Sequence, residues 1–353
     1  MIPELGVIEG YFGRPWRHED RKRAITQLRE LGFSWFHHAP KADAFLRRRW
    51  RERHPPAALA ELADLSSHCR SLGMRFGVGL SPYELYRNDS GLAHADFLAK
   101  IRALDEIGID DLAILFDDTR GDVPNLAAKE AEIVHAALAN TRASRVVMCP
   151  TYYSDDRMLD VVFGERPSGY LDDLGRRLDP RVGVYWTGEE ICAREFSAGH
   201  LARVTEALLR KPTLWDNYPV NDGPRMSRFL HLRGFTGRPR AIGSDIAAHA
   251  INPALQPHLT LIPAATLVAS YRDGSAYSYM QAFREAARAL AGAELAAMLE
   301  DDLHALQDRG IDKLGVEREP LRQRYLRVEH PMAAEVVRWL EGSDTVDRWV
   351  EDA

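Results

Sequence analysis

The sequence predicts an α/β fold, a (β/α)8 barrel of the TIM type with a C-terminal helical appendage, and three observations carry that reading. Short apolar runs that read as strands buried on both faces alternate with amphipathic segments of helical period. From one run to the next the step is roughly thirty to forty residues, the length of one strand-helix unit. The glycine-rich phosphate fingerprint of an open doubly wound sheet is missing, because Gly77-Val78-Gly79 runs into Leu80-Ser81-Pro82 and not into a helix.

The first run, Leu5 to Gly13, ends in glycines, and Arg21 to Leu31 follows with helical spacing at Ala24, Ile25, Leu28 and Leu31. Gly32 then closes that helix as a C-cap would. Phe33 to Lys41 reads as a second strand running into a loop, and further strands fall at 75–80, 112–119, 145–150, 182–186 and 212–215 and around Ala241-Ile242-Gly243. Amphipathic segments between them include 57–72, 91–107, 126–138 and 202–209. After Tyr279 the character changes to continuous helix, apolar on one face over 286–306 and 331–340. This change divides the chain into a barrel over residues 1–280 and a helical segment over 281–353, expected to pack on the barrel or on a second subunit of a homodimer.

With 353 residues, 45% of them hydrophobic and 28% charged, the chain is long enough for one large domain or two smaller ones. A formal net charge of -6 gives no electrostatic reason to expect nucleic acid or an anionic membrane as partner. No apolar run reaches membrane-spanning length and no signal-peptide pattern opens the chain, so a cytoplasmic protein is the expectation. Cys69, Cys149 and Cys192 are widely spaced and odd in number, which favours buried free thiols over bridges. There is no CxxC pair and no HExxH, and neither a metal nor a cofactor is expected. The dense charge run from Arg47 to Arg53 reads as a solvated face, with a substrate-facing basic lip as the other reading.

Chemistry is expected around Leu112-Ala113-Ile114-Leu115-Phe116-Asp117-Asp118, where five apolar residues run into two adjacent carboxylates. A turn or a helix cap would account for one aspartate. A pair at the end of so apolar a strand points to a site, because burying an unpaired carboxylate is costly. In a barrel of this kind the active site lies at the C-terminal ends of the strands. Those ends carry Glu9, Gly10, Lys41, Asp43, Asp117, Asp118, Tyr152, Tyr153, Trp186, Trp215, Asp216, Asn217, Asp222, Asp245 and Asn252. Aromatic faces beside carboxylates, amides and one lysine suit a sugar ring, whose hydroxyls need hydrogen bonds and whose C–H face needs an apolar platform.

Neighbouring carboxylates share one edge of a site and do not easily flank a glycosidic bond, as a two-carboxylate glycosidase requires at about 5 to 9.5 Å separation. A better use is one aspartate as general acid and base, and the other orienting a nucleophile that belongs to the substrate, such as a 2-acetamido group. Their mutual repulsion separates the two pKa values and favours one proton held near neutral pH.

The motifs Gly6-Val7-Ile8-Glu9-Gly10-Tyr11-Phe12-Gly13-Arg14-Pro15-Trp16, Ala39-Pro40-Lys41, Phe116-Asp117-Asp118, Pro150-Thr151-Tyr152-Tyr153, Trp186-Thr187-Gly188 and Trp215-Asp216-Asn217 through Asn221-Asp222 occur in this order. Together they resemble family 84 of the glycoside hydrolases, the O-GlcNAcases and related bacterial β-N-acetylglucosaminidases, over about residues 5 to 275. The resemblance implies a retaining exo-β-N-acetylglucosaminidase acting on a GlcNAc-bearing glycoside or glycoprotein through an oxazoline, with neither metal nor cofactor. By motif it implies that Asp117 polarises the acetamido group and that Asp118 protonates the leaving oxygen. It further implies that Tyr153 helps position that group and that Trp215 walls its pocket, with Asn217 beside it. Gly10, Lys41, Asp222 and Asn252 would hold the sugar hydroxyls. Ala42 stands where the resemblance leads one to expect a carboxylate after Lys41. A sugar-binding barrel without turnover is the alternative from another functional class.

Overall fold

The computed structural model describes residues 2–87 and 91–346, and residues 347–353 of the expected tail lie outside the described residues. In chain order it shows β1 (Glu4–Glu9), α1 (His18–Glu30), β2 (Trp35–His38), α2 (Pro56–Ser71), β3 (Arg75–Leu80), α3 (Gly91–Asp105), β4 (Asp111–Leu115) and α4 (Leu126–Asn140). There follow β5 (Arg145–Cys149), α5 (Met158–Phe163), α6 (Tyr170–Arg177), β6 (Gly183–Trp186), α7 (Ala198–Leu208), β7 (Thr213–Asp216), α8 (Gly223–Met226) and β8 (Ala248–Ile251). The chain then continues as α9 (Leu261–Asp273), α10 (Tyr279–Asp301), α11 (Arg318–Tyr325) and α12 (Pro331–Glu341).

Neighbouring strands pair in parallel from β1 to β8, and β8 returns to β1 through Glu4 opposite Ala248 and Val7 opposite Ile251, closing the barrel. The interior is packed by side chains, as such barrels are. Gly6 shows why small residues alternate with large ones there: a Cβ at this position would lie 2.0 Å from the indole of Trp35, its partner in register. The helices form for ordinary reasons. Acidic Glu19 and Asp20 open α1 and Arg29 closes it, each matching the helix dipole. Gly32, at φ 102°, takes the positive-φ position beyond its end. At α7, Ser197 caps by accepting a hydrogen bond from His200 N.

Several expectations need correction. The eighth strand is Ala248–Ile251, while residues 240–244 form a 3₁₀ turn. An Ala-Ile-Gly run after a proline looks extended in sequence, yet it is Ala248 and its neighbours that find partners on β7 and β1. Strand β4 ends at Leu115, so both aspartates lie in the turn beyond it. The tail is not continuous helix: Gly292, at φ 80°, interrupts α10, and short 3₁₀ and π turns separate it from α11. All three cysteines are free, but Cys192 is exposed where a buried thiol was expected.

The tail helices pack on the barrel, and their apolar residues Leu295, Leu299, Leu306, Val336 and Trp339 join the same core. They are also tied to the loops after β7 and β8. Gln307 Oε1 accepts from the backbone N–H groups of Leu232 and Arg233, and Trp339 Nε1 donates to Ser227 O at 3.0 Å. The Glu335 carboxylate accepts from His258 N and Leu259 N at 2.9 and 2.8 Å. Among the described residues no helix is long and apolar enough to cross a membrane.

Candidate active site

At the C-terminal ends of the strands lies a pocket of about 240 Å³ whose lining includes Gly10, Lys41, Asp117, Asp118, Tyr153, Trp215, Asn217, Asp222 and Asn252. Every one of the nine residues singled out in the sequence is therefore brought together, from the ends of β1, β2, β4, β5, β7 and β8. The volume lies somewhat below the usual range of small-molecule sites, which begins at about 300 Å³, and suits only a compact ligand. A larger groove of about 640 Å³ lies between residues 13–17 and 343–346 and shares none of these nine side chains.

The two aspartates differ in setting. Asp117 is buried, and its Oδ2 accepts a hydrogen bond from Lys41 Nζ, while its Oδ1 is buried with no hydrogen-bond partner. A buried acceptor without a donor costs roughly 1–3 kcal/mol, so the fold leaves this oxygen unanswered against its own stability. Asp118 sits in the left-handed region at φ 61°, a conformation aspartate tolerates at a cost of order 1–3 kcal/mol. This turn brings its side chain to the pocket mouth, 25% exposed, with Oδ2 at 3.4 Å from Lys41 Nζ and 3.9 Å from Arg47 Nη2. Burial on the protein side raises the Asp118 pKa, and the charge of Asp117 adds to this, against the lowering influence of Lys41 and Arg47. Burial opposes the charge of the Lys41 ammonium, but Asp117 and Asp118 outweigh it and hold its pKa above the usual value.

The wall opposite is aromatic. Trp215 packs edge-on against Tyr185, with ring centroids 5.2 Å apart. Gly10 lies so close to it that a Cβ would meet the indole at 2.3 Å, which is why a glycine stands there. Behind Trp215, Asp216 is buried and paired with Arg238 at 2.6 and 2.8 Å and with His249 Nε2 at 3.0 Å. A chain of amides wires the rim. Asn252 Oδ1 accepts from Gly10 N at 3.2 Å, its Nδ2 donates to Asn217 Oδ1 at 3.0 Å, and Asn217 Nδ2 donates to Ile191 O at 2.8 Å. Asp222 Oδ2 accepts from Phe12 N at 2.7 Å, and burial pushes its pKa up to about 6, helped by the nearby Asp118. The Tyr153 phenol is held well above its usual pKa by burial and by Asp118 and Asp117, so it remains a hydrogen-bond donor.

Other polar residues at the strand ends serve the scaffold. Glu9 is ion-paired with Arg21, Asp43 caps Phe45 N and meets His54, Tyr152 OH donates to Gly164 O, and Trp186 Nε1 donates to His200. Asp245 caps the 3₁₀ turn far from the pocket lining. In turn, Phe12, Thr187, Ile191, Cys192, Val220 and Met226 line the pocket without having been singled out. Phe12 and Thr187 lie within the motifs but were given no role, and the others resemble core residues in sequence. Glu130 was also missed. It is fully buried, accepts from Thr151 N and Oγ1 and from the Tyr170 phenol, and so fixes the turn that carries Tyr153, while burial pushes its pKa up to about 7. Arg47, from the charge run read as a solvated face, is buried beside Asp118.

Among the described residues no three His, Cys, Asp or Glu side chains converge as metal ligands. The arrangement offers an open anionic acceptor, a carboxyl with raised pKa on the same edge and an aromatic platform opposite. These are the parts needed to hold an acylamino sugar and transfer a proton to its glycosidic oxygen.

Comparison with known proteins agrees with this geometry. Protein O-GlcNAcase of Rattus norvegicus is 26% identical over 280 residues, which is 76% of this chain and 30% of that protein, and the Mus musculus protein of the same name aligns equally. The chain thus spans about a third of the length of these relatives. A solved structure of an aspartate-to-asparagine mutant of the Thermobaculum terrenum O-GlcNAc hydrolase superposes with a TM-score of 0.81 at 25% identity, covering 97% of this chain and 81% of that one. A family profile described as beta-N-acetylglucosaminidase matches residues 5–306, and with the barrel and pocket above it the chain belongs to the β-N-acetylglucosaminidase family of glycoside hydrolases.

Proposed function

We propose that the chain is a retaining exo-β-N-acetylglucosaminidase that removes terminal β-linked GlcNAc by substrate-assisted catalysis, without metal or cofactor. The observation that carries this reading is the convergence in one pocket of Asp117, whose Oδ1 has no protein donor, with Asp118 and the Trp215 indole. An acetamido N–H is the donor that such an oxygen lacks.

In the first step Asp117 accepts the acetamido N–H and makes the carbonyl oxygen more nucleophilic. That oxygen attacks the anomeric carbon as the glycosidic C–O bond breaks, and Asp118 gives its proton to the leaving oxygen. In the second step water attacks the anomeric carbon of the oxazoline, the water proton passes to Asp118, and the nitrogen proton that Asp117 took up as the ring closed returns to restore the acetamido group. Two inversions give net retention. Tyr153 donates a hydrogen bond to the acetamido oxygen, Trp215 walls the methyl group, and Asn217 stands beside it. Lys41, Asp222, Asn252 and the Gly10 carbonyl hold the sugar hydroxyls. Residues 1–280 form the catalytic barrel in this reading and 281–353 a C-terminal helical segment, whose Gln307, Glu335 and Trp339 brace the barrel loops.

Hydrolysis of 4-nitrophenyl β-N-acetylglucosaminide in EDTA, beside Asp118→Asn, tests the proposal. Turnover should survive EDTA, and the variant should lose most on substrates with poor leaving groups, which alone need the proton. Binding of GlcNAc with no turnover by the folded wild type would replace this reading with that of a sugar-binding barrel.

A further inference from the structure

Within the run from Arg47 to Arg53, the exposed arginines have surface partners of their own. Arg49 pairs with Glu52 and Arg53 with Glu106, while Arg51 lies over the Trp50 ring and 3.9 Å from Asp96. Arg47 differs. It is 5% exposed, its guanidinium lies over the Phe12 ring at 5.2 Å, and its Nη1 is buried with no hydrogen-bond partner. A methionine or leucine would fill the same space without an unpaired buried donor, so packing alone does not account for an arginine here.

The groups that face Asp118 explain the choice. Asp117 stands beside it in the chain, Lys41 and Arg47 approach from the loop after β2, and Asp222 and Tyr153 act on it from the loops after β7 and β5. Both cations lie nearest the same oxygen, Oδ2, Lys41 at 3.4 Å and Arg47 at 3.9 Å. Oδ1, the oxygen farther from both cations, is the one on which a proton is more stable. Lys41 is already engaged by Asp117, so it cannot fix the Asp118 rotamer alone.

We propose that Arg47 is a positioning residue for Asp118: with Lys41 it holds Oδ2, so that Oδ1 presents the proton to the leaving oxygen, and it is the second positive charge beside the two aspartates. This inference rests on Asp118 being the acid. Arg47 is not part of the pocket lining, whereas Phe12 and Asp118, which it lies against, are.

The test measures pH profiles of kcat/KM for wild type, Arg47→Gln, Arg47→Lys and Asp118→Asn, on 4-nitrophenyl and 4-methoxyphenyl β-N-acetylglucosaminides. Arg47→Gln should lose roughly tenfold more on the methoxyphenyl than on the nitrophenyl substrate. Without the neighbouring cation, the carboxyl keeps its proton to higher pH, so the descending alkaline limb should move up by roughly one pH unit. Arg47→Lys keeps the charge and should leave the limb in place, but it lacks the planar fork and should still favour the activated substrate. Equal loss on both substrates with an unmoved limb overturns the proposal, as does a lysine variant whose limb shifts as far as the glutamine's. Should Arg47→Gln fail to fold, the substrate ratio of Arg47→Lys decides alone, equal losses counting against. An inactive wild type, or an Asp118→Asn variant insensitive to leaving group, would instead remove the reading on which the inference rests.

Discussion

Two clusters of buried charge sit side by side at the rim of the barrel, built from the same residue types to opposite ends. In the first, Glu9 is fully buried, yet both its oxygens are engaged by Arg21, at 2.7 and 2.8 Å, and Tyr11 OH adds a third donor at 3.3 Å. His38 and His54 flank Asp43 beside it. Burial works to raise the Glu9 pKa, but Arg21 and His38 overcome it and bring the carboxyl down to about 2. Asp43 is likewise held well below the usual carboxylate range by His38 and His54, against the effect of burial. In the second cluster, one Asp117 oxygen has no partner, and Asp118 and Asp222 are shifted upwards. In the first cluster both carboxylates are saturated and serve the fold, although His38 Nδ1 has no hydrogen-bond partner. The second is left open, and reactivity lies where hydrogen-bonding capacity is unspent.

The largest expected effect breaks the open cluster. Asp117→Asn removes the charge that polarises the acetamido group, and activity should fall by about 10³-fold, whatever the leaving group, as when a preorganised electrostatic partner is lost. Denaturant midpoints should fall only modestly, because the asparagine carbonyl can still accept from Lys41 Nζ and Asp118 remains as its counter-charge. A large loss of stability with activity retained would mean that Asp117 belongs with the scaffold.

The saturated cluster should answer in the opposite way. Arg21→Met leaves the Glu9 carboxylate buried without its partner, and stability should fall by about 3–5 kcal/mol in urea unfolding. The kcat of the folded fraction should stay close to wild type, since Arg21 lines no part of the pocket. The pH dependence carries the same contrast. With its folded pKa depressed to about 2, Glu9 contributes stability that is present above its unfolded pKa of about 4.3 and is lost as pH falls towards 2.

Asp222 has the opposite sign. Its folded pKa of about 6 lies above its unfolded value, so the folded state holds a proton that the unfolded chain has released, and stability declines as pH rises from about 4 to 6. Asp222→Asn should therefore raise stability at pH 7 by about 1–2 kcal/mol and lower kcat/KM by roughly tenfold. It should also flatten the acidic limb of the profile near pH 6 if ionised Asp222 accepts the sugar hydroxyls. A variant less stable than wild type at pH 7 would contradict the assigned sign.

The open cluster was legible in the sequence because its members end strands. An apolar run into Asp117-Asp118, or a strand ending at Trp215, places polar groups at the barrel mouth before any contact is known. What the sequence hid was which polar residues are answered. Glu9 and Asp216 look as exposed to chemistry as Asp117 does, and only the folded chain brings Arg21 and Arg238 to them. Arg47 was masked by its neighbours, since a run of arginines reads as a solvated face until one member turns inward. The eighth strand lies a few residues beyond the expected Ala241-Ile242-Gly243, at 248–251, where His249 interrupts the apolar run. Its ring is in fact buried between Asp216 and Tyr271 OH, at 3.0 and 2.7 Å.

The smallest effect falls on the joint between the closed rim and the open pocket. Asn252 lines the pocket and also links Gly10 N to Asn217 Oδ1, so it is partly spent on the scaffold and partly available to a ligand. Asn252→Ala should cost about 1 kcal/mol of substrate binding, a rise in KM of roughly fivefold with kcat little changed, because a hydroxyl contact is made equally in the ground and transition states. Stability should fall by a similar small amount, as Gly10 N and Asn217 Oδ1 each lose a partner. Were kcat to fall instead, with KM constant, Asn252 would be holding Gly10 against Trp215 for the acetamido step, and the rim would belong to the catalytic machinery and not to sugar binding alone.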